Sequence, residues 1–442
     1  MFNSQKIDSV RSYKSDMSKK SPFLFFFLIF SQLVSAQLHP DSLTLKLDSA
    51  ERLFLKGNYI LLAQKYNVQA QKAQEIQAKL YPNPNLSAFY SLYNTQTKKF
   101  FPIGPGTSGG ELTAQISQLV YLAGQRNKQV KIAEANSRLA EYQFYDLIRT
   151  LKYTLRTDFY NIYYLLRSAA VYDEEIKSLQ QVVTAFEEQE GKGYIAEKEV
   201  IRIKAQLYTL LGEYNGLVGQ INDQESELRL ILQVKNTFIR PELDSVKISS
   251  MDPATYSLTT MLDSAYRNRS DLLIARTSVE ASRLSYNYQK SLAVPNLTLS
   301  LAYDQQGSYI NNLASLGAAI DLPVLNRNKG NILTAKNVTE ANNALQQNTE
   351  ATVQENVSHA LEKAFASDKM YRTIDQKFLR DFDHMLAEVL RNYEKRNLTL
   401  LDFLDFYDSY KENILSSNNI QFNRLKAFED INFYTATEFY QP

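Results

Sequence analysis

The 442-residue sequence carries 49 Lys+Arg against 48 Asp+Glu and contains neither Cys nor Trp. The near-even charge excludes a nucleic-acid binder that relies on bulk positive charge. The missing cysteine removes disulfides, thiolate metal sites, cysteine nucleophiles and a lipidated cysteine anchor together.

Gly (14) and Pro (11) are scarce while Tyr (29) and Phe (23) are plentiful, a composition of long helices with some wide apolar surface. Residues 1–36 read as a signal peptide. Lys19 and Lys20 form a basic region, Pro22 to Phe30 a short apolar run, and Val34-Ser35-Ala36 a small-residue site ahead of Gln37. Met17 gives a more ordinary start for such a segment than Met1. The apolar run is too short to cross roughly 30 Å of hydrocarbon as a helix, and no later apolar run reaches that length. The exported chain is expected in the periplasm, outside the cell or in an outer membrane.

The first half, 37–232, opens with a helix at Leu47-Asp48-Ser49-Ala50 and continues into two strands at about 85–93 and 111–119. In the first strand Leu86, Ala88, Tyr90 and Leu92 alternate with Ser87, Phe89, Ser91 and Tyr93. In the second Leu112, Ala114 and Ile116 alternate with Thr113, Gln115 and Ser117. Period two with one apolar and one small or polar face is a half-buried strand, and the length also suits a tilted membrane strand. The Gly- and Pro-rich stretch Asn94 to Gly110 joins them.

From Asn127 to Glu190 there is neither Gly nor Pro, so one helix of roughly 96 Å is expected. Leu155, Phe159, Ile162, Leu166, Ala169, Ile176, Leu179, Val183 and Phe186 give it a coiled-coil seam. Gly191-Lys192-Gly193 turns the chain, and Ala196 to Leu232 returns. The stretch 233–257, with Pro241 and Pro253, reads as an irregular linker.

The second half, 258–442, repeats this grammar. Leu262-Asp263-Ser264-Ala265, Pro295-Asn296-Leu297, Arg327-Asn328-Lys329 and Glu340-Ala341-Asn342 answer Leu47-Asp48-Ser49-Ala50, Pro84-Asn85-Leu86, Arg126-Asn127-Lys128 and Glu134-Ala135-Asn136 in order. Strands are expected at about 296–304 and 314–322. No Gly or Pro occurs from Asn331 to Gln441. A second seam runs through Val357, Leu361, Ala364, Tyr371, Ile374, Phe378, Met385 and Val389, with a turn at Arg396-Asn397. Met370 and Met385 are expected on that seam, as core rather than metal ligands. Four strands cannot close a barrel, and an open sheet edge cannot remain in lipid. Several chains must pool their strands, or the sheet is an ordinary soluble one.

No catalytic signature is present. Gly104 to Glu111 imitates a phosphate loop but has Gly110 where lysine is required. His39, His359 and His384 are far apart, so neither a metal site nor a cofactor is expected.

With these features the sequence resembles the TolC family of outer-membrane efflux proteins over roughly residues 40–440. The stretch from Leu322 to Ile332 is similar to the strand-to-helix junction of members paired with heavy-metal pumps. The resemblance implies a mainly α fold with a small β part: a trimeric α/β-barrel of two tandem repeats, each helix–strand–strand–long helical hairpin. It implies a homotrimer in outer-membrane lipid with its helical barrel in the periplasm. Its implied partners are a periplasmic adaptor and an inner-membrane pump of the resistance-nodulation type. Leu401-Asp402-Phe403-Leu404-Asp405 is similar to the family's entrance segment, which makes Asp402 and Asp405 gate carboxylates, with Tyr393 and Glu199 as latch partners. Gly193 and Asn397 fall at the adaptor-docking tips. Leu398 stands where the family latch has arginine and Arg396 where it has glycine, so that latch does not carry over. The bland alternative for Asp402 and Asp405 is a solvated helix face beside a turn, and for Tyr393 coiled-coil packing. The expected function is passive efflux of cargo, metal cations among the candidates. A duct for protein secretion and a soluble periplasmic coiled-coil scaffold are the alternatives.

Overall fold

The computed structural model describes residues 41–104, 109–306, 310–375, 385, 388–389, 391–393, 395 and 397–441. The expected signal peptide, His39, His384, Phe378 and Arg396 lie outside the described residues. The first half comprises β1 (Asp41–Lys46), α1 (Leu47–Gly57), α2 (Tyr59–Ala78), β2 (Asn85–Tyr90), the short β3 (Tyr93–Asn94) and β4 (Lys99–Phe100), β5 (Leu112–Val120), α3 (Gln125–Gly191) and α4 (Glu197–Leu232). Next come β6 (Thr237–Glu242), α5 (Ser245–Ser250) and a 3-10 turn (Pro253–Thr255). The second half comprises α6 (Leu258–Asn268), α7 (Ser270–Ser291), β7 (Leu297–Asp304), β8 (Leu313–Ile320), α8 (Lys329–Arg372) and α9 (Leu400–Thr435). β2 stops at Tyr90, short of the expected residue 93.

Local chemistry sets the helix boundaries. Asn58 caps α2, its Oδ1 accepting from the amides of Ile60 and Leu61, while its Nδ2 donates to the Ile231 carbonyl of α4 at 2.9 Å. Gly124 (φ 64) and Asn328 (φ 58) take the left-handed conformation that turns each sheet strand into its long helix. Asn127 is already inside α3, so the Arg-Asn-Lys match of the two halves does not fall on equivalent positions. The second strand-to-helix junction is the longer one. At 67 residues α3 extends about 100 Å.

The stretch read as an irregular linker is structured. Its β6 pairs in parallel with β1, Leu43 opposite Ile239, and Pro241 is accommodated because the sheet has only these two strands. Buried Glu225 accepts the Ile239 amide through both carboxylate oxygens.

β2, β5, β7 and β8 form one antiparallel sheet in that order. Its register aligns Leu86, Ile116, Leu301 and Leu316 in one row across all four strands. The same face carries Ala88, Ala114, Tyr303 and Ala314 in the next row. The opposite face carries Ser87, Gln115, Ala302 and Ser315, then Ser117, Ser300 and Gly317. The apolar face is bare: Leu86 is 74% exposed and Leu316 81%. The scaffold alternative required Leu86, Tyr90, Leu297 and Leu301 to lie in a packed core. Three are exposed and Leu297 is half-buried.

The helices repeat the strand order. α2 packs on α3, α3 on α7 and α7 on α8, so a four-helix curtain continues the sheet β2-β5-β7-β8. One apolar core lies at the middle of the chain, where Leu155, Phe159 and Ile162 meet Phe54, Ile239, Met261 and Phe428. A second lies toward the hairpin tips, where Leu179 and Val183 meet Ile203, Leu207 and Phe403. The seam expected on α3 is therefore its buried face, Leu166 and Phe186 being partly buried.

The second seam holds at Val357, Ala364 and Val389, which are buried, but its helix is not continuous. α8 ends at Arg372, and Thr373 and Ile374 close it with tight i−3 hydrogen bonds, so the helix is interrupted without Gly or Pro. Met370 and Met385 are exposed rather than on a seam.

Two arginines tie the middle together. Arg156 bridges Glu51, Glu429 and Glu438. Arg424 is 1% exposed and donates to Asp368 at 2.8 Å and to the carbonyls of Ile248 and Met251 at 2.7 and 2.5 Å. Replacing Arg424 by Ala strands one oxygen of the buried Asp368 carboxylate and two carbonyls. We expect a loss of about 3–5 kcal/mol, measured as a lower thermal midpoint by circular dichroism, whereas Ser416→Ala at an exposed position of the same helix changes it little.

Candidate channel entrance at the hairpin tips

The first tip is built by a helix-ending motif. The Gly193 amide donates to the Glu190 carbonyl at 2.8 Å and the Tyr194 amide to Gln189 at 2.9 Å. Gly193 has φ 76, and the space around it is open, so backbone conformation rather than crowding calls for glycine. α4 follows with Glu197 and Glu199 in its first turn, where carboxylates suit the helix dipole.

At the second tip the Asn397 amide donates to the Asn392 carbonyl at 2.9 Å and closes the turn. Thr399 then caps α9: its hydroxyl accepts the Asp402 amide at 3.2 Å and donates to the Asp402 carboxylate at 2.6 Å. Asp402 and Asp405 are both exposed. Asp402 thus has a helix-capping role besides any other, one that the Thr-Leu-Leu-Asp spacing already signals.

Tyr393 joins the tips. Its ring stacks on Phe403 at 4.3 Å and on Phe186 of α3 at 5.7 Å. The ring is buried, yet its hydroxyl has no hydrogen-bond partner among the described residues. Burial raises the hydroxyl's pKa and the Glu199 carboxylate adds to this. The structure therefore brings Tyr393 and Glu199 near one another without a hydrogen bond between them. Gly193 and Asn397 sit in the two turns, and Asp402 and Asp405 on the adjoining helix surface.

Composition and spacing did not single out the polar belt above the tips. Lys411 is buried and donates to Glu213 at 2.8 Å, with Asp408 at 3.6 Å and Glu412 at 3.9 Å. Tyr172 donates to the same Glu213 at 3.3 Å. Burial works against the Lys411 charge, but Glu213 and Asp408 hold its pKa up. Glu175 on α3 is 3% exposed, and its Oε1 has no partner. Burial, followed by the opposing effect of Lys411 and the carboxylates of Asp408, Glu213 and Glu412, pushes it up to about 8. Asp158 is pushed up to about 7 by burial and then by Glu227. The sequence signal was a carboxylate one position from seam residue Ile176. Among the described residues, no group of three or more His, Cys, Asp or Glu is placed to hold a metal ion.

A four-stranded sheet with one lipophilic face, continued by a helical curtain with paired hairpins, defines the fold of outer-membrane channel proteins. The Campylobacter jejuni CmeC outer membrane channel shares it with a TM-score of 0.72 at 16% identity, over 89% of this chain and 86% of that one. CusC, a structure described for its folding and transmembrane channel formation, gives 0.69 at 14% identity, over 92% and 95%. The family model for outer membrane efflux proteins matches residues 53–233. The cobalt-zinc-cadmium resistance protein CzcC of Cupriavidus metallidurans is 20% identical over 377 residues, 82% of either chain. The chain is thus similar to the outer membrane efflux proteins over residues 53–233 and shares the fold of the outer-membrane channels.

The buried carboxylate gives a pH signature. Glu175 titrates near 8 when folded against an ordinary value of 4.5. Between those values the folded chain holds a proton that the unfolded chain has released, so stability falls as pH rises through this window. Glu175→Gln should flatten the fall and raise stability at pH 8 by more than about 1.4 kcal/mol, the equivalent of one pKa unit. Thermal midpoints of the detergent-solubilised protein from pH 5 to 9 check this. Asp158 leaves a slope of the same size that ends near pH 7.

Proposed function

We propose that three copies of this chain pool their strands into a twelve-stranded barrel and act as the exit duct of a tripartite efflux system. The duct receives cargo from an inner-membrane pump of the resistance-nodulation type through a periplasmic adaptor and passes it outward without chemistry of its own. The observation that carries this reading is the sheet: one face is bare and apolar in the rows through Leu86 and Ala88, and both edge strands, β2 and β8, lack a partner within the described chain. Lipid tolerates neither an open edge nor an unpaired backbone, so closure with further copies is required. The curtain has matching free edges, with Tyr59, Ile60 and Tyr66 exposed on α2 and Leu333, Val338 and Leu345 on α8. An edge that meets the opposite edge of the next copy closes a ring.

The remaining assignments complete the proposal. Residues 1–36 are removed on export, and 37–232 and 258–442 are the two efflux repeats. The similarity to a metal-resistance protein supports metal cations as cargo. Asp402 and Asp405 ring the entrance, Tyr393 and Glu199 steady it, and an adaptor engages the turns at Gly193 and Asn397. Adaptor contact shifts the hairpins and withdraws the carboxylates from the axis.

Single-channel recording in planar bilayers tests the gate. The double variant Asp402→Asn, Asp405→Asn keeps a polar group at the cap and should raise conductance and weaken cation preference. Unchanged conductance and selectivity remove both residues from the gate. A heat-modifiable trimer on denaturing gels tests the assembly, and a monomer soluble without detergent overturns it.

A further inference from the structure

The loop between β2 and β5 does more than connect two strands. It carries the hairpin β3–β4, with Tyr93 opposite Phe100 and Asn94 opposite Lys99. Asn94 fixes its turn, accepting the amides of Gln96 and Thr97 and donating to the Gly109 carbonyl at 2.9 Å. Lys98 (φ 49) and Phe101 (φ 44) hold left-handed conformations that turn the returning strand outward.

Two contacts decide which way this hairpin leans. Tyr90 lies on the apolar face of the sheet, two and four residues after Ala88 and Leu86, and its hydroxyl donates to the Pro102 carbonyl. Gly110 precedes Leu112 by two residues and so shares that face. A Cβ there would stand 2.5 Å from the Pro102 oxygen. Glycine is required because Pro102 is folded down over the apolar side. The neighbours of Pro102 are consequently presented outward on that side: Phe100 and Phe101 are exposed, and Ile103 is 95% exposed. Lys98 and Lys99, both exposed, stand beside them.

We propose that this hairpin is a foot resting on the membrane surface, with Phe100, Phe101 and Ile103 seated among the lipids and Lys98 and Lys99 on anionic phosphate headgroups. The inference rests on the outer-membrane barrel reading. Three observations single out this occupant. The apolar cluster is continuous with the lipid-facing side of the sheet. It lies beyond the strand ends, at the level of the boundary rather than the hydrocarbon. Its adjacent charges are both positive, which suits phosphate and offers nothing to a cationic partner. Amphipathic elements with aromatic and aliphatic residues beside lysines bind at this depth through buried apolar area plus attraction to anionic lipid.

The absence of Trp from the chain permits a clean test with single-tryptophan variants of the full protein. Ile103→Trp reports the foot and Leu316→Trp, in the middle of the apolar face, reports the barrel. Each is reconstituted in brominated phosphatidylcholine vesicles with and without phosphatidylglycerol, and its loss of emission is compared with quenching by aqueous acrylamide. The proposal expects lipid quenching of both probes. Phosphatidylglycerol should deepen it for the foot probe, and that gain should vanish in the added Lys98→Asn, Lys99→Gln background. Lipid quenching of the foot probe that ignores phosphatidylglycerol and both lysines overturns the headgroup assignment. Quenching of the foot probe by acrylamide alone, with the barrel probe still quenched by lipid, overturns the foot while leaving the barrel. Failure of lipid quenching for both probes overturns the barrel reading itself.

Discussion

A backbone amide or carbonyl in hydrocarbon has no water to turn to, and this governs the rest of the molecule. The chain supplies four strands whose outer edges are unpaired. Four strands enclose nothing, and in the proposed assembly other copies complete the circle around which the apolar row Leu86, Ile116, Leu301 and Leu316 faces outward. The helices inherit the same requirement. Each sheet strand runs into or out of a curtain helix, and the curtain keeps the strand order. A ring closed in the sheet is therefore closed in the helices as well. Left-handed Gly124 and Asn328 make that continuation possible, since each turns a strand into a helix within a few residues.

Much of this was legible because periodicity is physical. Alternation along Leu86, Ala88 and Tyr90 fixed the face of β2, and the register places the same face outward on all four strands. The uninterrupted run after Asn127 became α3, with its expected seam buried. The failures share one cause: they depend on long-range pairing that a local pattern does not carry. The 233–257 stretch looked irregular because Pro241 and Pro253 punctuate it, yet parallel pairing with β1 and the Arg424 contacts to Ile248 and Met251 order it. The missing Gly and Pro after Asn331 suggested one helix, but absence of breakers does not compel continuity. Arg372 ends α8 while bridging Asp368 and Asp252.

The tip site was legible to a different degree. The residue types at Gly193, Asn397 and Thr399 announce turns and a cap, and those are local signals. That Tyr393 would lie between Phe403 and Phe186 needed the packing of one hairpin against the other. Glu175 was hidden for the same reason: a carboxylate beside a seam reads as solvated until a third helix, α9, covers it.

Buried charges at the middle of the molecule are held in two dense clusters. At its middle, Arg156 and Arg424 are saturated with carboxylates and carbonyls, and Asp430 accepts from both Tyr153 and Lys363. A network of this kind resists rearrangement, because withdrawing one partner leaves the others buried and uncompensated. Among the described residues, unpartnered polar atoms occur both beside that network, at Asp158 and Tyr160, and toward the tips. Tyr393 and Glu175 each keep a polar atom without a partner, and α8 is broken above them. Locally unfavourable groups persist in native proteins only where the surrounding structure over-determines them. The two arginine clusters thus make the middle a fixed collar, and the break after Arg372 lies on the tip side of it. In the proposed duct, an entrance that opened by moving its hairpins would need such a mounting, since an iris turns only if its mounting does not.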